Sequence, residues 1–141
     1  MPTEMHAEAV WRGDWRFDAQ TGTGHEIIMD AAVADGGTEA GARPMELLLV
    51  GCAGCTAMDV VSILEKMRQG VTSYRVKITG QRQDDHPQVF THIVIEHIVE
   101  GSVDEERLAH AIELSNEKYC SAQAMLKGVA TVETRYTILE G

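Results

Sequence analysis

Three cysteines are the residues of this sequence best suited to chemistry. Cys52 and Cys55 lie three residues apart, and Cys120 follows Cys55 by 65 residues. A thiolate can attack the O–O bond of a peroxide and become a sulfenic acid, which condenses with a second thiol to a disulfide. Two cysteines far apart in sequence therefore suit a peroxidatic and a resolving thiol, provided that the fold brings them together.

Other roles compete for the same cysteines. Cys52-Ala53-Gly54-Cys55 is formally a Cys-x-x-Cys motif, but in thioredoxin-like proteins this motif opens a helix, and here it lies about two turns inside one. Cys52 is more simply interpreted as a small buried hydrophobic residue. A structural zinc ion would need a fourth ligand beside the three cysteines, and no Cys or His follows at the spacing of a zinc finger. We therefore expect no metal site.

Cys120 has a distinct local setting. The sequence predicts that it follows a break in a helix and precedes a short helical segment, 121–127. A thiol at the start of a helix meets unpaired N–H groups and a partial positive charge, and both favour the thiolate. This position distinguishes Cys120 from a cysteine in the middle of a helix.

A long helix must position Cys52 and Cys55. Pro44 and Glu46 are typical of a helix start, and Gly70 is typical of a helix end. The run Leu47–Met58 contains no charged residue, and a helix that is apolar on all sides is either buried or in a membrane. Twelve such residues are fewer than the ~20 that a bilayer requires. We therefore expect this helix at the centre of a soluble fold.

The remaining patterns predict an α+β fold in a single domain, 1–141, with helices packed on antiparallel sheet. Alternating apolar residues predict strands, and clusters of Gly, Asp and Pro predict turns and loops. Ser102 and Glu105 have the spacing of a capping box and predict a helix start at Ser102. The predicted elements are strands over 8–15 (with a turn at 13–14) and 25–29, a mobile Gly-rich loop over 35–43, a hairpin of 74–79 and 89–99, a helix after 102, and a closing strand over 131–139.

Two histidines lie on the second strand of the predicted hairpin. His92 and His97 fall on opposite faces of the strand because their separation of five residues is odd. They cannot be neighbouring metal ligands, and we expect both to be solvated.

Composition narrows the range of partners. The chain has 141 residues, with 22 Asp and Glu against 12 Lys and Arg, and a net charge of −10. Nucleic acids and anionic membranes select clustered basic surfaces, so we expect neither as a partner. An odd cysteine count and the absence of a recognisable secretion signal favour reduced thiols in the cytoplasm.

Taken together, these motifs resemble those of the OsmC/Ohr family of osmotically and organic-hydroperoxide-inducible proteins. The resemblance implies an α+β fold with antiparallel sheets around a long central helix, in an intertwined homodimer with active sites at the subunit interface. It also implies reduction of organic hydroperoxides by protein thiols and an external thiol reductant, without a metal or a bound organic cofactor. The matching segments are Pro44-Met45-Glu46-Leu47-Leu48, Gly54-Cys55-Thr56 and Lys118-Tyr119-Cys120.

The resemblance assigns roles to individual residues. Cys55 matches the family's peroxidatic cysteine and Cys120 its resolving cysteine, whereas Cys52 matches no position of the motif. We therefore expect Cys55 and Cys120 to be the catalytic thiols, and Cys52 to be the less reactive one.

The family's activating residues are shifted in this chain. Family peroxidases carry a Glu directly after the proline that opens the helix, and this chain has Met45 there and Glu46 one place later. The family's activating Arg lies in the first hairpin, at a position that Arg12 and Arg16 flank. We take Glu46 and Arg16 as the candidate activating pair, and Arg43, just before the helix, as a further source of positive charge.

A second function is compatible with the same resemblance. The chain would then be a non-peroxidatic OsmC-like stress protein that binds a small apolar ligand at the dimer interface, with Cys55 as a lining residue. Met45, Met58 and Met67 would suit an adaptable apolar pocket. The two functions differ in whether an Arg reaches Cys55.

Overall fold

The computed structural model describes residues 3–140 and has the α+β architecture expected from the sequence. Within these residues lie six strands in two sheets and three α-helices. A 3₁₀ turn at Val33–Asp35 and a π-helical turn at Ser115–Tyr119 interrupt the regular elements. In chain order the elements are β1 (Ala7–Trp11), β2 (Phe17–Thr21), β3 (Glu26–Met29), α1 (Pro44–Lys66), β4 (Gly70–Arg82), β5 (Phe90–Ser102), α2 (Glu105–Leu114), α3 (Ser121–Leu126) and β6 (Thr131–Leu139).

The chain divides into two compact units, one that reaches Leu48 and one that begins at Leu49. The first unit contains the antiparallel sheet β1-β2-β3. The turn between β1 and β2 contains Gly13 (φ 104°) and Asp14 (φ 48°), both in the left-handed region that tight turns require. The predicted turn at 13–14 is therefore confirmed.

The loop after the first sheet is fixed by one carboxylate. Asp30, only 4% exposed, accepts hydrogen bonds from Ala31 N (2.7 Å), Thr38 Oγ1 (2.8 Å) and Ala40 N (3.1 Å). These donors, led by the backbone N–H of Ala31, hold the pKa of Asp30 below its usual range. The loop was expected to be mobile, but hydrogen bonds to a buried side chain tie its backbone down.

The second unit contains the sheet β4-β5-β6. β4 and β5 form the expected antiparallel hairpin, whereas β6 pairs with β5 in parallel. The expectation of purely antiparallel sheet is therefore wrong for β6. A parallel partner needs a long crossover, and α2, the π turn and α3 supply it.

The core of the second unit lies between helices and sheet. Val60 and Leu64 of α1 cluster with Val99 of β5 and with Leu108 and Ile112 of α2, all of them buried. α2 begins at Glu105 with Asp104 as its N-cap, whose carboxylate accepts a hydrogen bond from Arg107 N (3.2 Å). The capping box predicted at Ser102 is therefore wrong, because β5 extends through that residue.

α1 is more exposed than a helix at the centre of a fold. Its apolar residues Val50, Met58 and Val61 are 63%, 73% and 41% exposed. By length and composition Pro44–Lys66 could span a bilayer, and only 22% of its most apolar window is buried. Core helices of soluble proteins also meet this criterion, which tolerates charged residues such as Asp59 and so includes more of the chain than the charge-free run.

The two histidines of β5 differ in environment. His92 is partly exposed, and its Nε2 lies 3.3 Å from a carboxylate oxygen of Glu133. His97 is fully buried, and Tyr74 Oη lies 2.7 Å from its Nδ1. The expectation that both are solvated is therefore wrong for His97, whose face of the sheet is covered by the helices.

Candidate active site

The fold brings two distant cysteines together within the second unit. Cys55 lies in α1, and Cys120 is the N-cap of α3. Burial is the main cause of the raised pKa of Cys120, and the Cys55 thiol lies near enough to add to it. All three cysteines of the chain are free thiols. The fold thus brings near each other two cysteines that are 65 positions apart in the sequence.

Cys120 is a buried thiol that stays protonated at neutral pH. Burial is the largest effect and raises its pKa to about 11. The backbone N–H of Gln123 donates to its Sγ at 3.4 Å and opposes this shift. The hydrogen bond from Gln123 lowers the pKa of Cys120, as expected for a thiol at a helix start. Burial raises the pKa by more, so the thiol form is favoured.

Cys55 and Cys52 differ in access although they share one helix. Cys55 is partly exposed, whereas Cys52 is completely buried. Burial, followed by the neighbouring Cys55, raises the pKa of Cys52. A small oxidant from solution therefore meets Cys55 first.

Sequence reasoning missed a group of polar side chains, three of them buried, that connects the elements carrying Cys55 and Cys120. Thr56 Oγ1 lies 2.8 Å from Ser115 Oγ, and Ser115 donates to Asp59 Oδ2 at 3.0 Å. Gln123 Nε2 donates to Thr56 Oγ1 at 3.2 Å and to Asn116 Oδ1 at 2.8 Å. The one available signal was Asp59, a carboxylate in an otherwise apolar stretch of helix. We call Asp59, Ser115, Thr56 and Gln123 the polar chain.

The candidate activating residues have partners in the first unit. Glu46 Oε1 accepts a hydrogen bond from Arg43 N at 2.9 Å, the contact that a Glu at this position makes to close a helix start. Arg16 Nε lies 3.0 Å from Asp18 Oδ1, and this contact raises the pKa of Arg16. Arg12 shares the same carboxylate. Arg43 also pairs with a carboxylate, that of Glu39 at 3.3 Å.

A groove runs beside α1 in the second unit. It encloses about 500 Å³, and its lining includes apolar residues together with one acidic and one basic side chain. No group of three or more His, Cys, Asp or Glu suited to a metal ion occurs among residues 3–140. The lining includes Met58, Asp59, Ile63, Lys66, Leu114 and Tyr119.

Comparisons with known proteins agree with the fold. A family model described as OsmC-like protein matches residues 36–135. Protein YhfA of Escherichia coli K12 is 38% identical over 136 residues, which are 96% of this chain and 98% of YhfA. A hypothetical protein from Aquifex aeolicus VF5 has a solved structure with 32% identity and a TM-score of 0.88, with 99% of each chain covered.

A more distant solved structure has the same fold. It is an organic hydroperoxide resistance protein OsmC from Legionella pneumophila, with 13% identity, a TM-score of 0.74, and coverage of 96% of this chain and 97% of that one. At this identity the likeness concerns the fold alone. The family match covers most of the chain, and YhfA is similar over nearly all of it. This chain belongs to the OsmC-like protein family.

Proposed function

We propose that this protein reduces organic hydroperoxides with Cys55 as the peroxidatic thiol and Cys120 as the resolving thiol. The observation that carries the proposal is that Gln123 contacts both the sulfur of the buried Cys120, at 3.4 Å, and Thr56, the neighbour of the partly exposed Cys55, at 3.2 Å. The name of the Legionella pneumophila protein, which shares the fold, supports the same substrate class.

Two chemical steps are possible with this arrangement. The Cys55 thiolate attacks the peroxide, so an S–O bond forms, the O–O bond breaks, and the departing alkoxide takes a proton to become an alcohol. Cys120 then attacks the Cys55 sulfur, so the S–S bond forms, the S–O bond breaks, and the departing hydroxide takes the Cys120 proton to become water. An external thiol reductant restores both thiols by disulfide exchange. A Cys120 that rests as a thiol suits this order, because its proton completes the water.

Activation of Cys55 needs a nearby positive charge. An Arg within ~4–6 Å of a thiol lowers its pKa by about one to three units. We assign this role to Arg16, with Glu46 as the carboxylate that completes the pair, on the basis of the family's hairpin Arg and helix Glu.

We further propose that the protein works as a cytoplasmic homodimer, because the exposed apolar residues of α1 need a cover and the free thiols need a reducing compartment.

Separate substitution of the two thiols tests the assignment. We expect Cys55→Ser to abolish consumption of cumene hydroperoxide, because the attacking sulfur is lost. We expect Cys120→Ser to allow one turnover per site and to leave a sulfenic acid on Cys55 that dimedone labels. Stopped-flow kinetics and mass spectrometry measure both results.

Arg16→Ala should slow the first step, the attack of Cys55 on the peroxide, about tenfold or more, with Arg12→Ala as the matched control.

A second candidate function remains the binding of a small apolar ligand, and the groove beside α1 favours it. The same experiment separates the two functions. Equal residual consumption of hydroperoxide in Cys55→Ser and Cys120→Ser would contradict the peroxidase and favour the ligand-binding protein.

A further inference from the structure

The polar chain has a fixed direction. Ser115 donates its one hydroxyl proton to Asp59, so the 2.8 Å contact with Thr56 must have Thr56 as the donor. Thr56 in turn accepts from Gln123 Nε2. Each hydroxyl therefore donates once and accepts once, and every donor points toward Asp59. Loss of the Thr56 hydroxyl removes the donor that Ser115 accepts from and one of the two acceptors of Gln123 Nε2.

The polar chain joins the two elements that carry the thiols. Thr56 directly follows Cys55 in α1, and Gln123 lies in the first turn of α3, which Cys120 caps. Gln123 also donates its backbone N–H to Cys120 Sγ at 3.4 Å. One residue thus contacts the Cys120 sulfur with its backbone and the neighbour of Cys55 with its side chain.

A π turn directly precedes the short helix that Cys120 caps. Ser115 opens the turn, and its carbonyl oxygen accepts a hydrogen bond from Cys120 N at 2.8 Å. A π turn is a local irregularity of a helix and often lies at a functional site. The side chain of Ser115 fixes the start of the turn to α1, while Gln123 fixes the short helix after the turn. Thr56, Ser115 and Gln123 are all fully buried, so water does not compete for these hydrogen bonds.

We propose that Thr56, Ser115 and Gln123 are positioning residues that hold the Cys120 sulfur where it attacks an oxidised Cys55. The inference rests on the proposed function for the origin of that oxidation, but any oxidant that first modifies Cys55 creates the same second step. A misplacement of about 1 Å can slow an oriented reaction ~100-fold. The second step should therefore depend on the polar chain, while the first step, which uses a reagent from solution, should not.

A small disulfide, bis(2-hydroxyethyl) disulfide, provides the test without peroxide. The Cys55 thiolate attacks it, so a mixed disulfide forms and one mercaptoethanol leaves. Cys120 then attacks the Cys55 sulfur, so the protein disulfide forms and a second mercaptoethanol leaves with the Cys120 proton. Rapid acid quenching and mass spectrometry monitor each species. The first step is measured alone in the Cys120→Ser background.

Thr56→Val and Thr56→Ser are the matched variants, because valine removes the hydroxyl at nearly constant volume and serine keeps it. We expect Thr56→Val to slow the second step about 10- to 100-fold and to leave the first step within about twofold. We expect Thr56→Ser to keep the second step within about threefold of the unsubstituted protein. Should Thr56→Val fail to fold, Ser115→Ala removes the next hydroxyl and carries the same expectation.

Three results would overturn the inference. One is equal second-step rates in Thr56→Val and Thr56→Ser, and another is an equal slowing of both steps. The third is that the unsubstituted protein forms no Cys55–Cys120 disulfide. A protein that shows the expected pattern here but consumes no hydroperoxide would refute the proposed function and support the positioning role.

Discussion

The pKa of His97 depends strongly on the surroundings of its buried side chain. Its ring stacks on Tyr74, with ring centroids 5.9 Å apart, and accepts or donates one hydrogen bond through Nδ1. Nε2 has no hydrogen-bond partner among residues 3–140. Burial lowers the pKa of His97 to about 4, because a desolvated imidazole resists protonation.

This shift predicts a loss of stability in acid. The unfolded chain has a His pKa of about 6.5 and binds the proton first, so stability falls as pH drops from about 6.5 to 4. The full effect is about 3 kcal/mol in the free energy of unfolding. We expect His97→Gln to remove most of this pH dependence, measured by urea denaturation at several pH values. Parallel pH curves for the two proteins would contradict the prediction.

The residue types in the sequence identified the candidate thiols but not the polar chain beside them. Cys55 and Cys120 stand out in a sequence because few residues have sulfur chemistry. Thr56, Ser115 and Gln123 are ordinary polar residues, and their meaning lies in partners that are 59 and 67 residues away. A π turn inserts an extra residue into a helix, so helical spacing could not have aligned them.

For strands and helices too, the sequence pattern predicted that an element exists but not how it pairs or where it begins. Alternation of apolar residues correctly predicted β6, but alternation reports the faces of a strand and not the direction of its partner. The N-cap of α2 was misplaced for a related reason. Ser102 suits a cap, yet pairing with β4 extends β5 to that residue and moves the helix start to Glu105.

The loop around Asp30 gives a prediction at the scale of an element. A methyl group added at Gly37 would overlap the carbonyl oxygen of Ala31 and approach Asp30 Oδ1. Backbone cannot yield as a flexible side chain does, so we expect Gly37→Ala to destabilise the protein by about 1–3 kcal/mol.

Chemical denaturation measures this effect, and Gly51→Ala is its control. Apart from its chain neighbours and the nearby backbone of α1, an added methyl at Gly51 meets nothing within 4 Å, and alanine favours a helix by up to ~1 kcal/mol. Destabilisation by Gly51→Ala equal to that by Gly37→Ala would mean that the overlap at Gly37 is not the cause.

For the whole molecule the main question is what covers α1. Val50, Met58 and Val61 expose apolar surface that a second copy of the chain would bury. We expect a dimer at micromolar concentration in sedimentation velocity. Met58→Glu should raise the dimer dissociation constant at least about tenfold, because it places a charge in the apolar contact.

Thr91→Glu is the control, since it adds the same charge at an exposed position of β5. A stable monomer of the unsubstituted protein, or equal effects of the two substitutions, would contradict the assignment of α1 to the interface. The sequence revealed the apolar character of this helix, but the extent of its exposure depends on which faces α2 and the sheet leave open.

The parallel pairing of β6 has a consequence for the chain as it is synthesised. Cys55 leaves the ribosome 65 residues before Cys120, an interval of roughly 3 to 13 s at usual rates of translation. The end of the crossover that carries Cys120 is held by β6, which pairs with β5 from His92 with Thr131 to Glu100 with Leu139. A nascent chain therefore carries Cys52 and Cys55 for several seconds before Cys120 is made. The arrangement that places Cys120 near Cys55 is thus completed late in synthesis.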